Sequence, residues 1–235
     1  MPIIAANFKT NHTRKSSAKY ISLLSQYLRT NSTARVYVFP SYTALDEYEH
    51  LANLHIGAQN AYPTQTGSIT GEIGAVHLEE FNIKTILIGH SERRHVLGEK
   101  QEHIAQKFEY FKNLGYKIIY CIGEPLEVKE QGLEATLDYL NTQFENIDLN
   151  YEHLIVAYEP VWAIGTGKSA TIEDIQAVHD AIKQTIKQPL LYGGSVNLGN
   201  IEKICALNNV DGALIGSASL EVEDFIKMIE NTKEL

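Results

Sequence analysis

The chain has 235 residues, of which 20 are Lys or Arg and 29 are Asp or Glu, so its formal charge is −9. A length like this fits one α/β barrel, and a single domain over 1–235 is expected, with no linker or low-complexity tract. The acidic balance argues against nucleic acid or an anionic membrane as partner, since the protein's own field would repel both. The opening MPIIAANFKTNHTRK has only a short apolar stretch, with its basic residues after it. Neither a signal peptide nor a membrane span fits that order, and a cytoplasmic protein is expected. Cys121 and Cys205 lack metal-like spacing and read as reduced, buried thiols. The glycosylation-like triplets Asn11-His12-Thr13 and Asn31-Ser32-Thr33 mean little in such a compartment.

In chain order, β-rich apolar runs occur at 3–7 (IIAAN), 36–40 (VYVFP), 55–60 (HIGAQN), 84–90 (KTILIGH), 117–123 (KIIYCIG), 154–159 (LIVAYE), 189–194 (PLLYGG) and 210–216 (VDGALIG). They recur at about 30 residues, the size of a strand-helix-strand unit. Helical patterns lie between most of them. In TIEDIQAVHDAIKQTIKQ, Thr171 suits the cap and Glu173 and Asp174 the positive end, while Ile175, Val178, Ile182 and Ile186 share one face until Pro189 stops the run. Nearly continuous apolar strands suit a parallel sheet covered by helices. Eight such units favour an α/β fold of the (β/α)8 barrel type, a closed sheet of eight parallel strands, over an open doubly wound sheet, although their number alone does not prove closure.

Several strands end in chemistry: Asn7 and Lys9 after the first, Gln59 and Asn60 after the third, His90 after the fourth, Glu159 after the sixth, Gly193-Gly194-Ser195 after the seventh and Gly216-Ser217 after the eighth. Parallel barrels bring all such ends to one face, where sites are built.

These segments carry a resemblance over almost the whole chain. NFK (7–9), TGSITGEIG (66–74), GHSERRH (89–95), YCIGE (120–124), AYEPVWAIGTGKSAT (157–171), YGGSVN (192–197) and LIGSASL (214–220) stand in the order and near the spacing of the triosephosphate isomerase family, which the chain resembles. The resemblance implies interconversion of dihydroxyacetone phosphate and D-glyceraldehyde 3-phosphate, in glycolysis and gluconeogenesis, with neither cofactor nor metal.

That reaction moves a proton between adjacent carbons through an enediolate, and one positioned base can do it. Glu159, at an apolar strand end under a flap, would lose solvation and become a stronger base; taken alone, it reads equally well as a rim carboxylate in a salt bridge. His90, before SERR, would sit at a helix N-terminus that disfavours the imidazolium. By resemblance it polarises the carbonyl and shuttles protons, although a lone histidine is more often structural. Alternation along an extended segment would turn Asn7 and Lys9 to one side. Lys9 would supply the fixed cation an acidic protein needs for a phosphate and an enediolate; without the motif it would read as a solvated surface lysine. By resemblance Asn7 assists at the oxyanion, Glu92 pairs with Lys9, and Cys121 supports the site.

Phosphate binding falls to backbone N–H groups in loops at Gly165, Ser195, Gly216 and Ser217, although any one of these glycines could be a plain turn former. The flap Pro160-Val161-Trp162-Ala163-Ile164-Gly165-Thr166-Gly167-Lys168-Ser169-Ala170 is longer than usual connections and reads as a lid, stiffened by Pro160 and loosened by Gly165 and Gly167. Closed, it would exclude water and suppress loss of phosphate from the intermediate. The loop 61–74 would be a surface loop on composition. The resemblance instead implies a homodimer, with Thr70 at the neighbouring site and Glu72 and Arg93 as a supporting pair.

Two decoys fail. A Walker A reading of GTGKS needs glycine where Trp162 stands. GTGKSA matches a dinucleotide fingerprint, yet no acidic residue closes the next strand, so no nucleotide is implied. His90 with His95, and His50 with His55, lack the HExxH spacing. The chain departs from the family at Phe8, usually tryptophan, at Thr10, often methionine, and at Ser217, usually glycine. It is also slightly short, with the loss expected in helices and outer loops. Two other readings stay open: another sugar-phosphate or amino-sugar isomerase on a phosphate-binding barrel, and a catalytically silent scaffold.

Overall fold

A computed structural model describes residues 1–164 and 169–233. Its strands are β1 (Ile3–Asn7), β2 (Arg35–Phe39), β3 (Leu54–Ile56), β4 (Thr85–Ile88), β5 (Lys117–Ile122), β6 (Leu154–Tyr158), β7 (Leu190–Tyr192) and β8 (Gly212–Ile215). All pairs are parallel, in the order β3-β2-β1-β8-β7-β6-β5-β4. The ring closes between the two ends of that order, where Ala58 donates to Thr85 O and accepts from Leu87 N, both at 2.9 Å. The expected eight-stranded barrel is therefore the fold.

Period-two alternation explains the unbroken apolar runs. In β1, Ile3 and Ala5 face a core inside the barrel with Tyr37, Phe39, Leu87 and Ile119, whereas Ile4 and Ala6 face a larger core under the helices. Every residue of β1 is buried, so the run carries no polar alternate before Asn7 at its end. Each fully buried aliphatic side chain contributes about 1.5–3 kcal/mol of transfer free energy.

Outside lie α1 (Arg14–Leu28), α2 (Ala75–Glu79), α3 (Ser91–His95), α4 (Gln101–Asn113), α5 (Leu126–Lys129), α6 (Leu133–Thr142), α7 (Ile172–Ile182), α8 (Ile201–Cys205) and α9 (Val222–Glu230). The connection from β2 to β3 has only a 3-10 turn, Tyr42–Ala44, and here the chain is short of a covering helix. Helix α7 starts as read, with Thr171 Oγ1 accepting the Asp174 N–H at 3.1 Å, but ends before the predicted stop. Lys183 Nζ reaches back to Gln188 O at 2.9 Å and to Asp211 at 2.8 Å, turning the chain into β7 while Ile186 stays buried. Among the described residues no helix is long and apolar enough to cross a membrane.

Candidate active site

β1 ends at Asn7, and Lys9 then takes left-handed backbone with φ 52°, so it is not delivered by strand alternation as the sequence suggested. Asn7 Oδ1 accepts the Lys9 N–H at 3.0 Å, and Gln59 Nε2 donates to Lys9 O at 2.8 Å. Those two bonds satisfy the backbone of a turn that lysine seldom adopts. The ammonium then points into the cleft, with Glu92 Oε1 at 2.6 Å.

His90 is the N-cap residue of α3, and its Nδ1 accepts the Glu92 N–H at 3.3 Å. A nitrogen that accepts carries no proton, so the ring's proton is on Nε2, which lies 3.2 Å from Glu159 Oε1. The other oxygen of Glu159 accepts the Ser91 N–H at 3.2 Å. Both side chains are nearly sealed, His90 at 6% exposure and Glu159 at 2%.

Burial is the largest influence on Glu159 and raises its pKa, but His90, the Ser91 N–H and Lys9 together outweigh it and the net direction is down. This corrects the expectation that shielding would strengthen the base in the resting site. At His90 burial lowers the pKa, yet the Glu159 and Glu92 carboxylates turn the net direction upward. The two side-chain tips face each other, Nε2 to Oε1. Backbone packing fixes that position: a Cβ on Gly123 would meet Glu159 O at 1.8 Å, and one on Gly193 would meet Glu159 Cγ at 2.7 Å. Cys121 is fully buried beneath the pair, and burial, then the negative Glu159, pushes its thiol far up.

Opposite this pair the cleft, about 180 Å³, is walled by Ser195, Gly216 and Ser217, with Ile164 from the flap. Ser195 Oγ donates to Ala163 O, tying the flap's base to the β7 loop. Pro160 precedes the 3-10 turn Val161–Ala163. There Trp162 Nε1 donates to Glu124 Oε1 at 2.8 Å, an oxygen that also accepts the Tyr158 hydroxyl at 3.0 Å. Ser169 and Ala170 resume the chain ahead of α7. Gly165, Thr166, Gly167 and Lys168, named in the phosphate and flap readings, lie outside the described residues.

Two neighbours were not singled out from sequence. Asn11 lines the cleft beside Lys9, donating to Phe8 O at 2.9 Å. Glu124 is fully buried, and burial pushes its carboxyl up. Its only signal was a carboxylate closing an apolar strand, as at Glu159.

A second compartment, about 370 Å³, adjoins the first through Lys9 and His90 and is bordered by Tyr42, Glu92 and Leu97. The loop 61–74 is pinched at its base, where Tyr62 N–H donates to Ile73 O and Ala75 N–H to Thr64 O, each at 2.8 Å. Its tip with Thr70 is exposed. Within the chain Arg93 meets Glu99, and Glu72 adds to the negative field around it. Glu99, backed by the buried Lys107, takes the Arg93 Nε and Nη2 at 2.8 Å each. Among the described residues no group of three His, Cys, Asp or Glu side chains is placed to hold a metal.

A family model described as triosephosphate isomerase matches residues 2–232. The chain is similar to the triosephosphate isomerase of Wolinella succinogenes, 57% identical over 229 residues that cover 97% of this chain and 99% of the relative. It is likewise similar to that of a Sulfurovum species, 60% identical over 228 residues, covering 97% and 99%. The triosephosphate isomerase of Helicobacter pylori is 50% identical over 229 residues, covering 97% of each chain. With the whole barrel inside these matches, the chain belongs to the triosephosphate isomerase family.

Proposed function

We propose that this chain interconverts dihydroxyacetone phosphate and D-glyceraldehyde 3-phosphate, with Glu159 moving the proton. The observation that carries the reading is the buried contact of 3.2 Å between His90 Nε2 and Glu159 Oε1, in the cleft that Lys9 enters. In the resting site Glu159 stays ionised on the Ser91 N–H and the His90 N–H. When substrate enters, the carboxylate leaves those donors, and burial then weighs more heavily on it against the Lys9 charge. Its basicity rises when it is needed. It takes a proton from the carbon beside the carbonyl and returns it to the neighbouring carbon.

His90 Nε2–H, freed from Glu159, donates to the oxygen where charge develops and can pass its proton between the two enediolate oxygens. Lys9 Nζ supplies a fixed positive charge beside them, and Asn7 holds the lysine's turn. Backbone N–H groups at Ser195, Gly216 and Ser217 receive the phosphate, with Gly165 from the flap. No cofactor is needed for a proton moved between neighbouring carbons. The flap over 160–170 acts as a lid, hinged where Trp162 is tied to Glu124.

The active form is a homodimer in the cytoplasm. Ile69 on the loop tip, with Val96 and Leu97 beside the second compartment, leave apolar surface exposed, and the tip of loop 61–74 from a second copy would fill that compartment. Light scattering giving the mass of one chain would contradict this. For the reaction, dihydroxyacetone phosphate is incubated with enzyme in heavy water and followed by proton NMR. Formation of glyceraldehyde 3-phosphate, part of it deuterated at C2, is expected; a folded sample that forms none contradicts the reading.

A further inference from the structure

The triplet Asn11-His12-Thr13 joins two loops of the cleft. His12 holds left-handed backbone, φ 62°, which residues with side chains rarely adopt. Its ring is engaged on every side. Nε2 lies 3.0 Å from the carbonyl of Leu220, on the far side of the sequence, and Nδ1 lies 3.2 Å from Ser16 Oγ. A ring nitrogen facing a carbonyl must be the donor, so Nε2 carries a proton. The ring also packs 4.7 Å from Phe8 and 5.7 Å from Tyr20.

Tyr20, on α1, reaches the same place. Its buried hydroxyl donates to Ser219 O at 2.7 Å, and the Ser219 hydroxyl bonds Gly216 O at 2.7 Å. The 3-10 turn Ser217–Ser219 is thus held at Ser219 and Leu220 by the segment that starts at Lys9. Contact continues at its other end, where a Cβ on Gly216 would stand 3.3 Å from Lys9 Cε.

We propose that His12 and Tyr20 are positioning residues for phosphate: they lock the 216–219 turn against the Lys9 turn, so that N–H groups and ammonium converge on one anion. Neither side chain needs to touch substrate. Three-residue turns have few internal bonds to fix their N–H directions, and preorganised donors bind an anion only where they already point. The inference rests on the reading of this turn as the phosphate site.

His12→Gly removes the ring while glycine keeps the left-handed backbone freely. Tyr20→Phe removes one hydroxyl and keeps the ring contacts. Binding of inorganic phosphate by calorimetry, kcat and KM for dihydroxyacetone phosphate, and circular dichroism to verify folding are the measurements. Each variant is expected to raise the phosphate Kd and the KM by roughly three- to tenfold, with kcat within about twofold. Folded variants that bind phosphate as tightly as wild type, or that lose kcat with KM unchanged, overturn the inference alone. Wild-type protein that binds no phosphate overturns the phosphate reading itself, and the inference with it.

Discussion

Glu159 and His90 hold each other in the resting cleft, Oε1 to Nε2 at 3.2 Å, with both side chains almost wholly buried. The contact keeps a buried carboxylate ionised by giving it a donor; on the proposed mechanism it weakens the base until substrate parts the two. Because the net direction at Glu159 is downward, the acid limb of kcat/KM should fall below the ordinary carboxylate range. His90→Gln should move that limb up, since the strongest opposing group is gone, and should lower kcat by roughly two decades. A pH–rate profile of both proteins checks this; an acid limb unmoved by the substitution contradicts it.

Lys9 is the cation of the cleft, and Glu92 is its resting partner at 2.6 Å. Replacing Lys9 with Met should reduce kcat/KM by roughly two to three decades, the scale of losing one preorganised electrostatic group. Glu92 is nearly half exposed and keeps water, so the thermal midpoint should move little. Steady-state kinetics with a melting curve separates the two effects.

Removal of 163–167 tests the lid. The deletion spares the anchor of Trp162 on Glu124 and lies outside every strand, so the barrel should stay folded. The intermediate would then be open to water and free to rotate into elimination. Inorganic phosphate released during turnover, measured against wild type, should increase; no extra phosphate contradicts the lid.

Acid stability should depend on His179, away from the cleft. Its Nδ1 donates to Asn209 O at 2.9 Å, Nε2 is buried with no hydrogen-bond partner among the described residues, and burial holds the imidazole down at about 4. The unfolded chain protonates first, at the ordinary value of 6.5. Stability from the neutral ring is therefore complete above 6.5 and is lost as pH falls toward 4, by about 3 kcal/mol in all. Urea unfolding at pH 7 and pH 4.5 should show a smaller acid loss in His179→Gln than in wild type.

The barrel could be read from sequence because parallel strands buried on both faces leave runs such as IIAAN and KIIYCI that little else explains. The strand ends could be read because one face collects them. What stayed hidden depends on contacts between distant segments. Lysine gives no sign that Lys9 will adopt left-handed backbone, since Asn7 and Gln59 hold it there. Arg93 meets Glu99 within the chain, a contact the sequence did not single out. Glu124 acquires its role from Tyr158 and Trp162 arriving together. The direction of the shift at Glu159 depends on donors contributed by α3.

The most direct test of the whole account is turnover of Glu159→Gln in a coupled assay run in both directions beside wild type. The amide keeps the shape of the side chain and removes the base. Turnover should drop by two or more decades each way, with phosphate-analogue binding largely kept. A folded Glu159→Gln protein that turns over at the wild-type rate would remove Glu159 from the chemistry and contradict the account.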